Sequence, residues 1–192
     1  PAKFLVLAEA VVFSFWRLPA FMKTFYMLSR RSRRKTILPD GGIFLSNSCS
    51  RVATLFSIAM ETYIEKLLGE VTSVLGRLPT REIAKAINEI QATYERDGRI
   101  YIFGNGGSLA LATHWVSDFN KTVFGRHLDS GIRRFQAIRL PSTESELTAW
   151  ANDVGYEMVF AGPLQNYIQD NDAVIAISSS GKSPSIIKAV EV

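Results

Sequence analysis

From Met60 onward the apolar positions fall into a regular order. Tyr63, Leu67, Leu68, Val71, Val74 and Leu75 recur at helical spacing through about Leu78. Pro79-Thr80 then opens a second helix, with Ile83, Ala84, Ile87, Ile90 and Tyr94 on one face and Gly98 closing it. Short apolar runs predict strands at about 99–104, 135–140 and 173–178. Helices at about 107–121, 144–151, 155–169 and 184–191 fill the gaps, and the chain stops as the last of them begins. Alternating strand and helix implies right-handed crossovers and a parallel sheet flanked by helices, a three-layer α/β fold. No internal repeat or low-complexity tract interrupts it.

Residues 1–59 read as foreign to this pattern. They hold nine of the 21 aromatic residues and a basic run, Arg30-Arg31-Ser32-Arg33-Arg34-Lys35, with a turn signal at Pro39-Asp40-Gly41-Gly42. Phe4 to Trp16 is apolar but interrupted by Glu9, and it is shorter than the roughly 20 residues a membrane helix needs. Arg17 and Pro19 follow it where a signal peptide would place a small-residue cleavage site. The chain begins at Pro1, so the expectation is an incomplete reading frame whose natural start is Met60. The competing reading is a membrane-surface appendage with a polybasic anchor. The expected division is an atypical segment 1–59 and a domain 60–192, with helices over 60–97 and the sheet core over 98–192.

Charge sharpens that division. The net charge of +4 comes from the first segment, with nine Lys/Arg against two Asp/Glu, whereas residues 60–192 carry thirteen against sixteen. The domain shows no basic stripe, which argues against a nucleic-acid partner. The single Cys49 excludes a disulfide framework and a Cys-based zinc cluster, so a reducing cytoplasm is the expected setting.

Chemistry concentrates in two loops. Ile100 to Phe103 runs into Gly104-Asn105-Gly106-Gly107-Ser108 just before a helix. Free backbone N–H groups and a helix dipole at such a turn favour an anion, and glycine lets a ligand approach closely. Ala173 to Ile177 runs into Ser178-Ser179-Ser180-Gly181-Lys182-Ser183-Pro184, a donor-rich cup before another helix, with Pro184 suited to its first turn. Alone, the first loop reads equally well as a tight connection, and the second reads better as a polar loop with a Ser N-cap. Two such loops at the carboxyl ends of apolar strands favour one shared phosphate-bearing ligand. His114 and Asp118, four apart on one helix face, are a polar pair that can also hold a divalent metal. Asn152-Asp153 before Gly155-Tyr156 reads as a helix end and turn. Trp115 and Trp150, among apolar neighbours, read as core or subunit contacts.

Over roughly residues 60–192 these blocks resemble the sugar isomerase (SIS) domain, a flavodoxin-like fold, and within it the phosphoheptose isomerases. The likeness rests on Gly104 to Ser108, His114 with Asp118, Leu147-Thr148-Ala149 leading to Asn152-Asp153, Gly155-Tyr156-Glu157, Val159-Phe160 and Ile177 to Pro184, in the family's order. It implies aldose–ketose isomerisation of sedoheptulose 7-phosphate to a heptose 7-phosphate, through an enediol. Ser178, Ser179, Ser180 and Ser183 would hold the phosphate; Asn105, Gly106, Gly107, Ser108, Asn152 and Asp153 would line the substrate. The resemblance further implies zinc on His114 and Asp118, Asp118 as catalytic base, a homotetramer, and a product destined for lipopolysaccharide or other surface glycans. Two departures stand out. Asp118 replaces the family's Glu, setting the carboxylate about 1 Å further back, and Lys182 replaces the usual Asn. The family's other zinc ligands, a Gln and a His, come from C-terminal segments this chain lacks, and His127, in a loop, is a poor substitute. The chain by itself is therefore expected to be nearly inactive. The alternatives are a non-catalytic phosphosugar-binding regulatory module and an isomerase of another phosphosugar.

Overall fold

The computed structural model describes residues 3–7, 36–37, 43–44, 48–123, 125 and 131–192. The basic run Arg30 to Lys35, the turn Pro39 to Gly42 and His127 lie outside the described residues. Two compact units form, one of residues 1–9 with 79–192 and one of residues 10–78.

The second unit contains a two-residue antiparallel pair, β2 (Thr36–Ile37) with β3 (Ile43–Phe44), and a long helix α1 (Ser48–Leu75). The helix starts twelve residues before Met60, because nothing between Ser48 and Met60 is a Gly or Pro that would stop it. Among the described residues no helix is long and apolar enough to cross a membrane.

The first unit holds a parallel sheet in the order β1 (Lys3–Leu7), β6 (Ala173–Ile177), β4 (Arg99–Gly104), β5 (Gln136–Arg139). Three of these strands fall where the apolar runs predict them. The fourth, β1, pairs residue for residue with β6, Lys3 opposite Ala173 through Leu7 opposite Ile177. It thus covers an edge that the sequence alone would leave open. The central strands are apolar over Ile100–Phe103 and Ala173–Ile177, as a sheet covered on both faces requires. Ile100, Ile102, Ala137, Ile175 and Ile177 face one layer, packing with Ile90 of α2 (Thr80–Glu95) and Ala112 and Trp115 of α3 (Gly107–Ser117). Tyr101, Phe103, Val174 and Ala176 face the other, packing with Leu147 and Trp150 of α4 (Glu144–Asp153), Leu164 of α5 (Ala161–Tyr167) and Ile186 of α6 (Pro184–Val190). Phe103 stacks on Phe160 at 5.0 Å between ring centroids. Burying each such ring contributes about 1.5–3 kcal/mol. Trp115 and Trp150 therefore pack against core clusters, as their apolar surroundings suggested.

Three local departures from the expected pattern have clear causes. Helix α2 ends in a Schellman motif whose left-handed residue is Asp97 (φ 60°), with Asp97 N–H donating to Tyr94 O and Gly98 N–H to Thr93 O. Gly98 is needed for a different reason: a Cβ there would lie 1.8 Å from Asn171 O. The single helix expected over 155–169 is instead a 3-10 turn, Tyr156–Met158, followed by α5. Pro163 can sit only in a helix's first turn, which makes the helix restart at Ala161. Finally, α3 passes into a π-helical turn, Asp118–Thr122, closed by Val123 N–H donating to Asp118 O. The turn brings Asn120 against β5, where its amide donates to Ala137 O at 2.8 Å and accepts from Ala137 N–H at 2.9 Å.

Candidate functional site

The glycine-rich and serine-rich loops start side by side. Gly104 and Ile177 are register partners at the carboxyl ends of β4 and β6. From there the chain splays: α3 packs on one face of the sheet and α6 on the other. Strand β5 lies on one side of β4 and β6 on the other, so the order reverses between β4 and β6. A crevice outside the carboxyl ends of the strands at such a reversal is where open α/β sheets take ligands.

Backbone geometry sets the two walls. In the first loop Gly106 adopts φ 55°, Ser108 N–H donates to Asn105 O, and Leu109 and Ala110 N–H donate to Gly106 O. The N–H groups of Gly106 and Gly107 have no acceptor among the described residues, and both glycines are exposed. Ser108 is buried in the first turn of α3. In the second loop Ser178 Oγ accepts from Gly181 N–H at 3.1 Å and Ser180 Oγ from Lys182 N–H at 3.2 Å. A hydroxyl that accepts still has its own proton to donate. Ser178 is buried, Ser179 and Ser180 are exposed, and Ser183 is half-buried at the start of α6. Lys182 is exposed beside them.

Asn105 joins the walls. Its Nδ2 donates to Ser185 Oγ at 3.0 Å, and its Oδ1 accepts from Tyr156 OH at 3.0 Å. Ser185, buried in the first turn of α6, was not picked out by sequence. Its signal would have been a hydroxyl immediately after Pro184 at a helix start. Asn152 and Asp153 close α4, both exposed, and Asn152 Nδ2 donates to Asp153 Oδ1 at 2.7 Å.

His114 Nε2 lies 3.3 Å from Asp118 Oδ2, and both side chains are accessible. Seven residues at 1.5 Å rise place His114 about 10 Å along α3 from Gly107. An imidazole nitrogen and a carboxylate oxygen are both zinc donors, but a catalytic zinc takes three protein ligands. Among the described residues no third His, Cys, Asp or Glu joins this pair. The donors fit in kind and fall short in number.

Known proteins resemble the part of the chain that carries these loops. The model of the SIS domain family matches residues 62–192. The chain is 32% identical over 135 residues to the phosphoheptose isomerase of Chlorobaculum parvum, covering 68% of this chain and 62% of that protein. It is 38% identical over 104 residues to the phosphoheptose isomerase of Pelodictyon phaeoclathratiforme, covering 53% and 47%. The solved structure of phosphoheptose isomerase GmhA from Neisseria gonorrhoeae is similar with a TM-score of 0.55 at 25% identity, covering 74% of this chain and 66% of that one. The chain spans between about half and three fifths of the length of the curated relatives it matches.

Proposed function

The chain belongs to the SIS domain family, and from that premise we propose that it is a phosphosugar isomerase acting on sedoheptulose 7-phosphate. The observation that carries this reading is the pair of loops at the adjacent carboxyl ends of β4 and β6, one with glycine amides and the other with serine hydroxyls. The phosphate would be held by Ser178, Ser179, Ser180 and Ser183, whose hydroxyls can donate to its oxygens. Gly106, Gly107, Ser108, Asn152 and Asp153 would meet the sugar. Asp118 would take the proton from C1, next to the C2 carbonyl, giving an enediolate charged on O2, and return that proton to C2 as the O1 proton passes to O2 by way of solvent, leaving the aldose. A base of this kind works best with a pKa near the operating pH. A long sugar phosphate suits the separation along α3 between the loops and the pair His114–Asp118. Zinc held in part by that pair would supply electrostatic stabilisation of the enediolate. The reading also takes the protein to be a cytoplasmic homotetramer whose product enters lipopolysaccharide. Exposed Ile83 and Ile87 on α2 support association between copies.

The shortened acid, Asp118, favours a second reading, a module that binds a phosphosugar without turning it over. Both readings require binding. Titration with sedoheptulose 7-phosphate is expected to show saturable binding at least about tenfold tighter than unphosphorylated sedoheptulose, since charge-assisted hydrogen bonds are the strong ones. The double variant Ser178→Ala with Ser180→Ala should lose that preference. No preference for the phosphorylated sugar would overturn both.

A further inference from the structure

We propose that Tyr156 is a positioning residue: acting through the Asn105 amide, its hydroxyl latches the glycine-rich loop to the start of α6. The latch rests on geometry; its bearing on ligand affinity rests on the phosphosugar reading above.

An asparagine amide has an accepting end and a donating end. Here each is taken by a different segment, Tyr156 OH on Oδ1 and Ser185 Oγ on Nδ2, both at 3.0 Å. A phenol donating to Oδ1 fixes which end faces which partner, and so directs the amide N–H to the buried Ser185 hydroxyl. Tyr156 as a whole is 53% exposed, so its packing adds little, and the hydroxyl is the part committed to the site. Tyr156 is in turn aimed by Gly155, whose φ of 130° strongly disfavours a side chain.

The consequence falls on the first wall of the crevice. Asn105 immediately precedes Gly106, where glycine's freedom would otherwise let the loop wander. The Asn105 carbonyl also accepts from Ser108 N–H, the first bond of α3. Holding the Asn105 side chain therefore holds the turn that presents the Gly106 and Gly107 amides, at a fixed position relative to the serine loop that leads into α6. Preorganised donors bind more tightly than donors that must be ordered by the ligand.

The test compares the unaltered 192-residue chain with Tyr156→Phe and with Ser185→Ala, which cuts the latch at its other end. Amide hydrogen exchange at Ser108, Leu109 and Ala110 should speed up about tenfold in both. The Asn105 side-chain amide resonances should move, and sedoheptulose 7-phosphate should bind about three- to tenfold more weakly, the size of one lost hydrogen bond. The melting temperature of Tyr156→Phe should be unchanged. Unchanged exchange in Tyr156→Phe overturns the latch, whatever happens to binding. Faster exchange with unaltered affinity overturns its role in ligand binding. Faster exchange in a protein whose unaltered form binds no phosphosugar supports the latch and overturns the phosphosugar reading, so the two failures are distinguishable.

Discussion

Gly104 sits opposite Ile177 so closely that a Cβ added to it would lie 2.7 Å from the Ile177 carbonyl oxygen and 2.6 Å from Ser108 Cβ. This one contact ties the end of β4, the end of β6 and the first turn of α3 together. It is the reason the two loops can share a ligand. Neither neighbour is the far end of a flexible side chain, so nothing can swing aside. Gly104→Ala is accordingly expected to destabilise the fold by about 1–3 kcal/mol, as overpacked sites do, and to loosen phosphosugar binding with it. Urea denaturation checks the first effect; a midpoint equal to that of the unaltered protein would show that the strands do not meet this way.

Tyr101 predicts how stability depends on pH. Its side chain is fully buried, and its hydroxyl donates to Tyr167 O at 3.2 Å. Burial raises its pKa above the ordinary 10.0, with the nearby Asp172 carboxylate adding to the shift and hydrogen bonding with Arg99 opposing it. The folded state therefore keeps the phenolic proton after the unfolded chain has begun to lose it. That contribution is complete below about pH 10 and is lost as pH rises through the higher folded value. Melting temperatures measured across pH 9 to about 11.5 should fall, and the fall should be shallower in Tyr101→Phe. Equal slopes would mean that Tyr101 is not the group responsible.

Much of the sheet was legible because its central strands are short apolar runs ended by Gly or Ser, a local signal that needs no knowledge of partners. The helix boundaries were legible to the same degree: Pro79-Thr80 opens α2 where expected, while Pro163, read only as one residue of a longer helix, in fact resets the chain after the Tyr156–Met158 turn. What stayed hidden is set by long-range pairing. Lys3 to Leu7 becomes a strand only because β6 offers an edge. The π-helical turn at Asp118 goes with the bonds of Asn120 to Ala137, seventeen positions on. In the candidate site the sequence marks Asn105, and the structure adds that both ends of its amide bond to Tyr156 and Ser185, fifty-one and eighty positions away. The glycine and serine loops could be found by spacing; the bonds that join them could not.

The base assigned to Asp118 gives the account its most direct test. Sedoheptulose 7-phosphate is incubated with the protein in deuterium oxide, and C1 is examined for incorporated deuterium by NMR. Proton removal at C1 should place deuterium there even where conversion to the aldose is slow, and Asp118→Asn should lower the rate at least about a hundredfold, the usual worth of a positioned general base. Exchange that survives Asp118→Asn would contradict the assignment of the base. A chain that binds the phosphosugar yet leaves C1 unexchanged would show that residues 1–192 bind without turnover, and would favour the binding module over the isomerase.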